Sequence, residues 1–173
     1  MGSIPEFTLP LKAGSRQPSD VLRPAACAAE IVAFGRVVGQ TSGLSANDAT
    51  VITLYNFLVQ RLYKGKDPLP LGKTISVLRR GGTVRISQGV IHAVDASLPS
   101  FTVGTDYILF LRGLRGGGGY VSAQEELDFK AVSAGIDTRL DFLPGSGRTQ
   151  LNFDSLSEFR HSLENSLTGC GAQ

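Results

Sequence analysis

Five large apolar residues stand in a row in the stretch TDYILFLR, Thr105 to Arg112: Tyr107, Ile108, Leu109, Phe110 and Leu111. A strand with one face in water needs apolar side chains only at alternate positions, because successive side chains point to opposite faces. An unbroken run therefore marks a strand with two dry faces. With Tyr107, Leu109 and Leu111 turned into a small barrel, Ile108 and Phe110 point outward and require a cover. The chain supplies one near its end. In FDSLSEFRHSLENSL, Leu156, Phe159, Leu163 and Leu167 recur at helical spacing, Ser155 and Glu158 stand at capping-box spacing, and Gly169 follows. One amphipathic helix is expected there, laid over the outward face of the apolar strand.

The remaining segments read as strands punctuated by glycine and proline. AAEIVAFGRVVGQ, Ala28 to Gln40, alternates Ile31, Ala33, Gly35 and Val37 against Val32, Phe34, Arg36 and Val38, and Gly35 suggests a bend or bulge where a barrel curves. TVITLYNFLVQRLYKG, Thr50 to Gly65, is rich in β-branched and aromatic residues and long enough for a curved strand. KTISVLRRGG alternates Ile75 and Val77 against Thr74, Ser76 and Leu78 before a stop at Gly81 and Gly82. GYVSAQEELDFKAV, Gly119 to Val132, supplies a fifth strand with an irregularity near Gln124 to Glu126, and Gly116 to Gly119 form a hairpin tip. Between Thr83 and Pro99 lies a connection in which GVIHAVDA is a candidate short extra strand. The expectation is a mainly β protein: a five-stranded OB-like β-barrel with a C-terminal α-helix packed on its outside. Residues 1–24, which begin with the expression scar MGSIPEF, read as a mobile leader, and 25–173 as a single domain.

Apolar runs fall far short of the ~20 residues of a membrane-spanning helix. The formal charge of +2 gives no strong global field, but the charge is unevenly spread: Arg61, Lys64, Lys66, Lys73, Arg79, Arg80 and Arg85 face only Asp67 in that segment. Cys27 precedes the first strand and Cys170 follows the helix, so a bridge between them would tie both ends of the domain together; two unrelated thiols are the alternative. His92 and His161, the only histidines, have no Cys or His at ligand spacing, so no metal site is expected. Glu125, Glu126 and Asp128 read as a solvated loop, and the glycines of GSG (Gly145 to Gly147) and GLRGGGG as turns without the residues that hold a phosphate or activate a nucleophile. No catalytic residue, cofactor or metal ligand is assigned.

The order EIVAFGRVV, a long strand ending in YKG, GKTISVLRRGG, FTVGTDYILFLR, a glycine tip with GYV, DFKAV and a final LSEFR helix resembles secreted bacterial proteins related in layout to netrin-like domains, the group that includes the tissue inhibitors of metalloproteases. The resemblance covers Ala28 to Leu167. It implies an OB-fold barrel with helices outside, a secreted or periplasmic location with any natural signal peptide removed, and a non-enzymatic role in binding another extracellular or periplasmic protein, a protease among the partner classes. Inhibitors of that group hold zinc through an N-terminal cysteine, whereas Cys27 is internal here and only two cysteines are present. The expected binding surface comprises Arg61, Lys64, Lys73, Arg79, Arg80, Gly81, Gly82, Gly117 and Gly118, with the glycines along one barrel rim. The alternative is binding of single-stranded nucleic acid or another polyanion through the basic second and third strands, with Tyr55, Phe57 and Tyr63 as stacking platforms.

Overall fold

The computed structural model describes residues 18–47, 50–65, 72–95, 100–123, 129–134, 137–142 and 155–170. Along the chain come α1 (Pro18–Ala28), β1 (Ile31–Leu44), β2 (Val51–Lys64), β3 (Thr74–Arg80), β4 (Gly82–Ile86), β5 (Gly89–Ala93), β6 (Asp106–Gly113), β7 (Tyr120–Ser122), β8 (Phe129–Ala134), β9 (Asp137–Phe142) and α2 (Leu156–Thr168). β1 pairs antiparallel with β2 and β6, β2 with β3, and β6 with β7, while β3 meets β7 in parallel. The circuit β1-β2-β3-β7-β6 closes a five-stranded mixed barrel, the OB-like shell expected from the sequence.

Alternation fills the shell. Ala33 and Val37 from β1, Tyr55, Phe57 and Val59 from β2, Ile75 and Val77 from β3, and Tyr107, Leu109 and Leu111 from β6 form one buried apolar cluster. The strands β1 and β2 bend around it because their ladder shifts register three times, at Val32/Ala33, Phe34/Gly35 and Val37/Gly39. Gly35 lies at one of these shifts, as the alternating pattern suggested. A β-carbon there would collide with the Leu58 carbonyl oxygen and lie 2.9 Å from the Phe57 ring.

The outward face of β6 is dry, as its apolar run requires. Ile108 and Phe110 are fully buried in a second cluster with Val32, and Phe159 and Leu163 of α2 cover them. Burying each such side chain contributes about 1.5–3 kcal/mol. Ser155 caps α2 by accepting a hydrogen bond from the Glu158 N–H at 3.1 Å.

Four expectations need correction. The end of the supposed leader, from Pro18, is helical. Leu22, Ala25, Ala26 and Ala29 recur at helical spacing and are all buried against the same cluster, so α1 and α2 share the cover. Pro24 lies inside that helix, and the first strand starts at Ile31 rather than Ala28. The fifth strand is divided: β7 closes the barrel, whereas β8 pairs with the other half of β6 and carries the additional strand β9. Gly82 is the first residue of β4, not a stop, and β4 and β5 form a hairpin in which both 83–86 and 89–93 are strand.

The disulfide is formed. Cys27 and Cys170 join the ends of α1 and α2 with their Cα atoms 5.3 Å apart, across 143 residues of sequence. No helix among the described residues is long and apolar enough to cross a membrane.

Candidate interaction seam between β3 and the glycine tip

The barrel is least sealed where β3 meets β7. Val77 and Tyr120 are their one pair in register among the described residues. Towards the start of β3 an open cleft of about 500 Å3 separates the two, lined by Glu30, Lys73, Ser76, Gly117, Gly118 and Tyr120 among others.

The register of β2 and β3 decides what this cleft presents. The Val59 N–H donates to the Lys73 carbonyl at 3.0 Å, and the Gly81 N–H donates to the Val51 carbonyl at 2.8 Å. Odd-numbered residues of β3 therefore bond to β2. In an antiparallel pair the alternate residues direct their N–H and C=O groups the opposite way. Thr74 and Ser76 thus turn a short strand edge towards the cleft: the Val77–Tyr120 bridge occupies the Ser76 carbonyl, and the Thr74 N–H and C=O and the Ser76 N–H are directed away from β2.

The opposite wall is backbone as well. Gly116, Gly117 and Gly118 have φ values of 98°, 82° and 90°, in the region that side chains other than glycine disfavour. The turn is held by the Leu114 N–H donating to the Gly119 carbonyl at 3.0 Å and the Gly117 N–H donating to the Leu114 carbonyl at 3.1 Å. Gly116 to Gly118 thus present main chain with no side chain over it. The rim carries both charges, Lys73 on one side and Glu30 on the other, whose carboxylate accepts from the Gly113 N–H at 3.3 Å.

Of the expected binding residues, the fold brings Lys73, Gly117 and Gly118 together here. Gly81 and Gly82, with the exposed Arg80, sit at the other end of β3, roughly 20 Å along the strand at 3.3 Å per residue. The single glycine rim expected from the sequence is therefore two separate places. Gly81 is a pivot between β3 and β4, its carbonyl accepting from the buried Thr53 hydroxyl at 2.7 Å. Lys64 is directed into the fold: its ammonium donates to the carbonyls of Ala26 at 2.7 Å and Ala29 at 2.6 Å and so caps the C-terminal end of α1. Arg79 is only 3% exposed, and its guanidinium stacks 3.6 Å from the centre of the Phe101 ring. That ring in turn packs on Tyr55 and Tyr107 at centroid distances of 5.0 and 4.8 Å. The parity that points Ile75 and Val77 inward extends to Arg79. Arg61 is exposed on β2 beside α2, away from the seam.

His92 shares a 2.7 Å hydrogen bond with Thr83 on the exposed β4–β5 hairpin, and His161 is exposed on α2. Among the described residues no three His, Cys, Asp or Glu side chains come together in a metal-binding group. Glu125, Glu126 and Asp128, the Gly145 to Gly147 turn, and Lys66 with Asp67 lie outside the described residues.

Sequence reasoning missed Glu30, Ser76 and Tyr120. The outward parity of Ser76 was readable, but its approach to the glycine tip depends on a parallel pairing between segments more than forty residues apart. No family model matches the chain, and no curated protein is detectably similar to it in sequence.

Proposed function

We propose that the protein is a non-enzymatic interaction module that acts outside the cytoplasm and grips an extended segment of a partner protein in the seam between β3 and the glycine tip. The edge formed by Thr74 and Ser76 carries this reading. A sheet edge beside a cleft accepts a further strand through main-chain hydrogen bonds, and neighbouring pockets then select side chains. The Cys27–Cys170 disulfide supports an oxidising compartment, where such bonds persist. Another secreted or periplasmic protein is the partner class, with proteases suggested by the netrin-like resemblance.

Against the nucleic-acid alternative stands the placement of its aromatic residues and of two of its cations, while Arg61, Lys73 and Arg80 are exposed. Tyr55 and Phe57 are in the barrel core, Tyr63 packs against Phe159, Arg79 is buried, and Lys64 caps a helix. Aromatic platforms and a track of free cations are what that mode requires.

A photo-reactive amino acid placed at Lys73 or Tyr120, and at Arg85 on the β4–β5 hairpin as a control, tests the proposal in the presence of the source's extracellular proteins. Discrete cross-linked species at 73 and 120, lost on Ser76→Pro and missing at 85, are expected. Equal labelling at all three positions, or tight salt-dependent binding of an oligothymidylate, would overturn it.

A further inference from the structure

A second cleft, separate from the seam, opens between the end of β2 and α2. It measures about 380 Å3, and Arg61, Tyr63, Arg160, Leu163, Glu164 and Leu167 line it. That size falls within the range of small-molecule sites.

The floor is apolar. Leu163 is 1% exposed and Leu167 packs against the same cluster. Tyr63 is delivered there by an irregularity in the ladder: Val32 pairs with Lys64 and Ala33 with Leu62, which leaves Tyr63 as the extra residue. A bulge of this kind re-aims a side chain. The Tyr63 ring lies edge-on to Phe159, with centroids 6.0 Å apart, and its hydroxyl is buried without a hydrogen-bond partner among the described residues. A buried hydroxyl left in this way is destabilising, and a ligand atom relieves the cost.

The walls are cationic. Arg61 and Arg160 come from different elements, yet both act on the Tyr63 phenol. Burial pushes its pKa up, and the two guanidinium groups pull in the opposite direction. Arg61 faces the phenol oxygen and acts on it both as a charge and as a donor, but their contact is not aligned as a formed hydrogen bond. Arg160 gives its Nε–H to Glu164 Oε1 at 2.7 Å, a contact along one helix that involves one edge of the guanidinium. Each guanidinium carries five donors in a planar fork suited to two parallel hydrogen bonds with a carboxylate.

We infer that this cleft binds a carboxylate attached to an apolar body, the carboxylate held between Arg61 and Arg160 beside the Tyr63 hydroxyl and the body lying along Leu163 and Leu167. The acid is either a free small molecule or the C-terminal end of a peptide; both present the same group. Glu164 opposes it, since its charge lies beside Arg160.

Calorimetric titration of the intact protein with octanoate, octanol, acetyl-Ala-Ala-Leu and the amide of that peptide tests the site. At least one of the two acids should bind saturably at one per chain, with its uncharged counterpart at least about tenfold weaker. Arg61→Gln and Arg160→Gln should each weaken the acid by about tenfold, the loss of a charge-assisted hydrogen bond, and Glu164→Gln should strengthen it. All three side chains are exposed, so these variants retain the fold. Methyl resonances of Leu163 and Leu167 should move in the same titration. Tighter octanoate identifies a free acid, tighter peptide a chain terminus, and either supports the site. Equal binding of acid and neutral counterpart, arginine variants with unchanged affinity, or no saturation by either acid would overturn it.

Discussion

Replacing Lys64 with methionine keeps the aliphatic stem and removes the ammonium shared by the Ala26 and Ala29 carbonyls. Hydrogen bonds to a charged group contribute about 1.5–3 kcal/mol, and a loss of that order in a urea titration is the expected result. Lys73→Met, at an exposed position on the seam, should stay within about 0.5 kcal/mol. The two lysines look alike in sequence because each stands at one end of a strand-like segment. What separates them is the helix end that α1 places above Lys64. Gly35→Ala should cost about 1–3 kcal/mol, since the barrel backbone must shift to admit a methyl group. Tyr63 adds a pH dependence. Burial holds its phenol above the ordinary 10.0 in the folded state, so the unfolded chain gives up the proton first. The stability contributed by the neutral phenol is complete below pH 10.0 and is lost as the pH rises through the folded value. Thermal melts should therefore show a smaller alkaline decline for Tyr63→Phe than for the wild type.

At the scale of elements, the cover over β6 is two helices tied by one covalent link. In the chain-entropy account, a bridge spanning 143 residues stabilises the fold by up to about 5 kcal/mol. The Cys27→Ser/Cys170→Ser variant should melt well below the wild type, which itself should lose a similar margin in reductant. Hydrogen exchange should rise first in α1, which holds its place through a short apolar stripe, Lys64 and this bond. Phe110→Ala should cost about 3–5 kcal/mol despite pointing away from the barrel interior, because its ring is fully buried beneath the cover. α2 was legible in the sequence because stripe, cap and terminating glycine agree within fifteen residues. α1 carries a comparable stripe, but proline at position 24, inside it, argued locally against a helix. Burial of Leu22 and three alanines, together with the capped end, prevailed over that local preference.

For the whole molecule, the position of the proposed binding seam is decided by closure. The shell closes through antiparallel ladders everywhere except at β3 and β7, where a single parallel pair bridges the strands, and the candidate seam is the place where that closure is thin. A substitution that disrupts the seam edge, Ser76→Pro, should abolish partner capture while leaving the buried clusters and the disulfide intact, which near-ultraviolet circular dichroism of the core tyrosines checks. The barrel, its two-faced central strand, the terminal helix and the bulge at Gly35 could all be read from the chain, because each depends on periodicity or on the chemistry of neighbours in sequence. Which basic residues face water could not. The register shift opposite Gly35 inserts Gln60 and turns Arg61 outward, α1 folds back over Lys64, and Phe101 closes over Arg79. Each event joins residues that are remote in sequence or moves a ladder by one position, and a shift of one residue exchanges the two faces of a strand. The seam and the arginine cleft arise in the same way, from pairings that exist only once the shell has closed and the helices have docked on it.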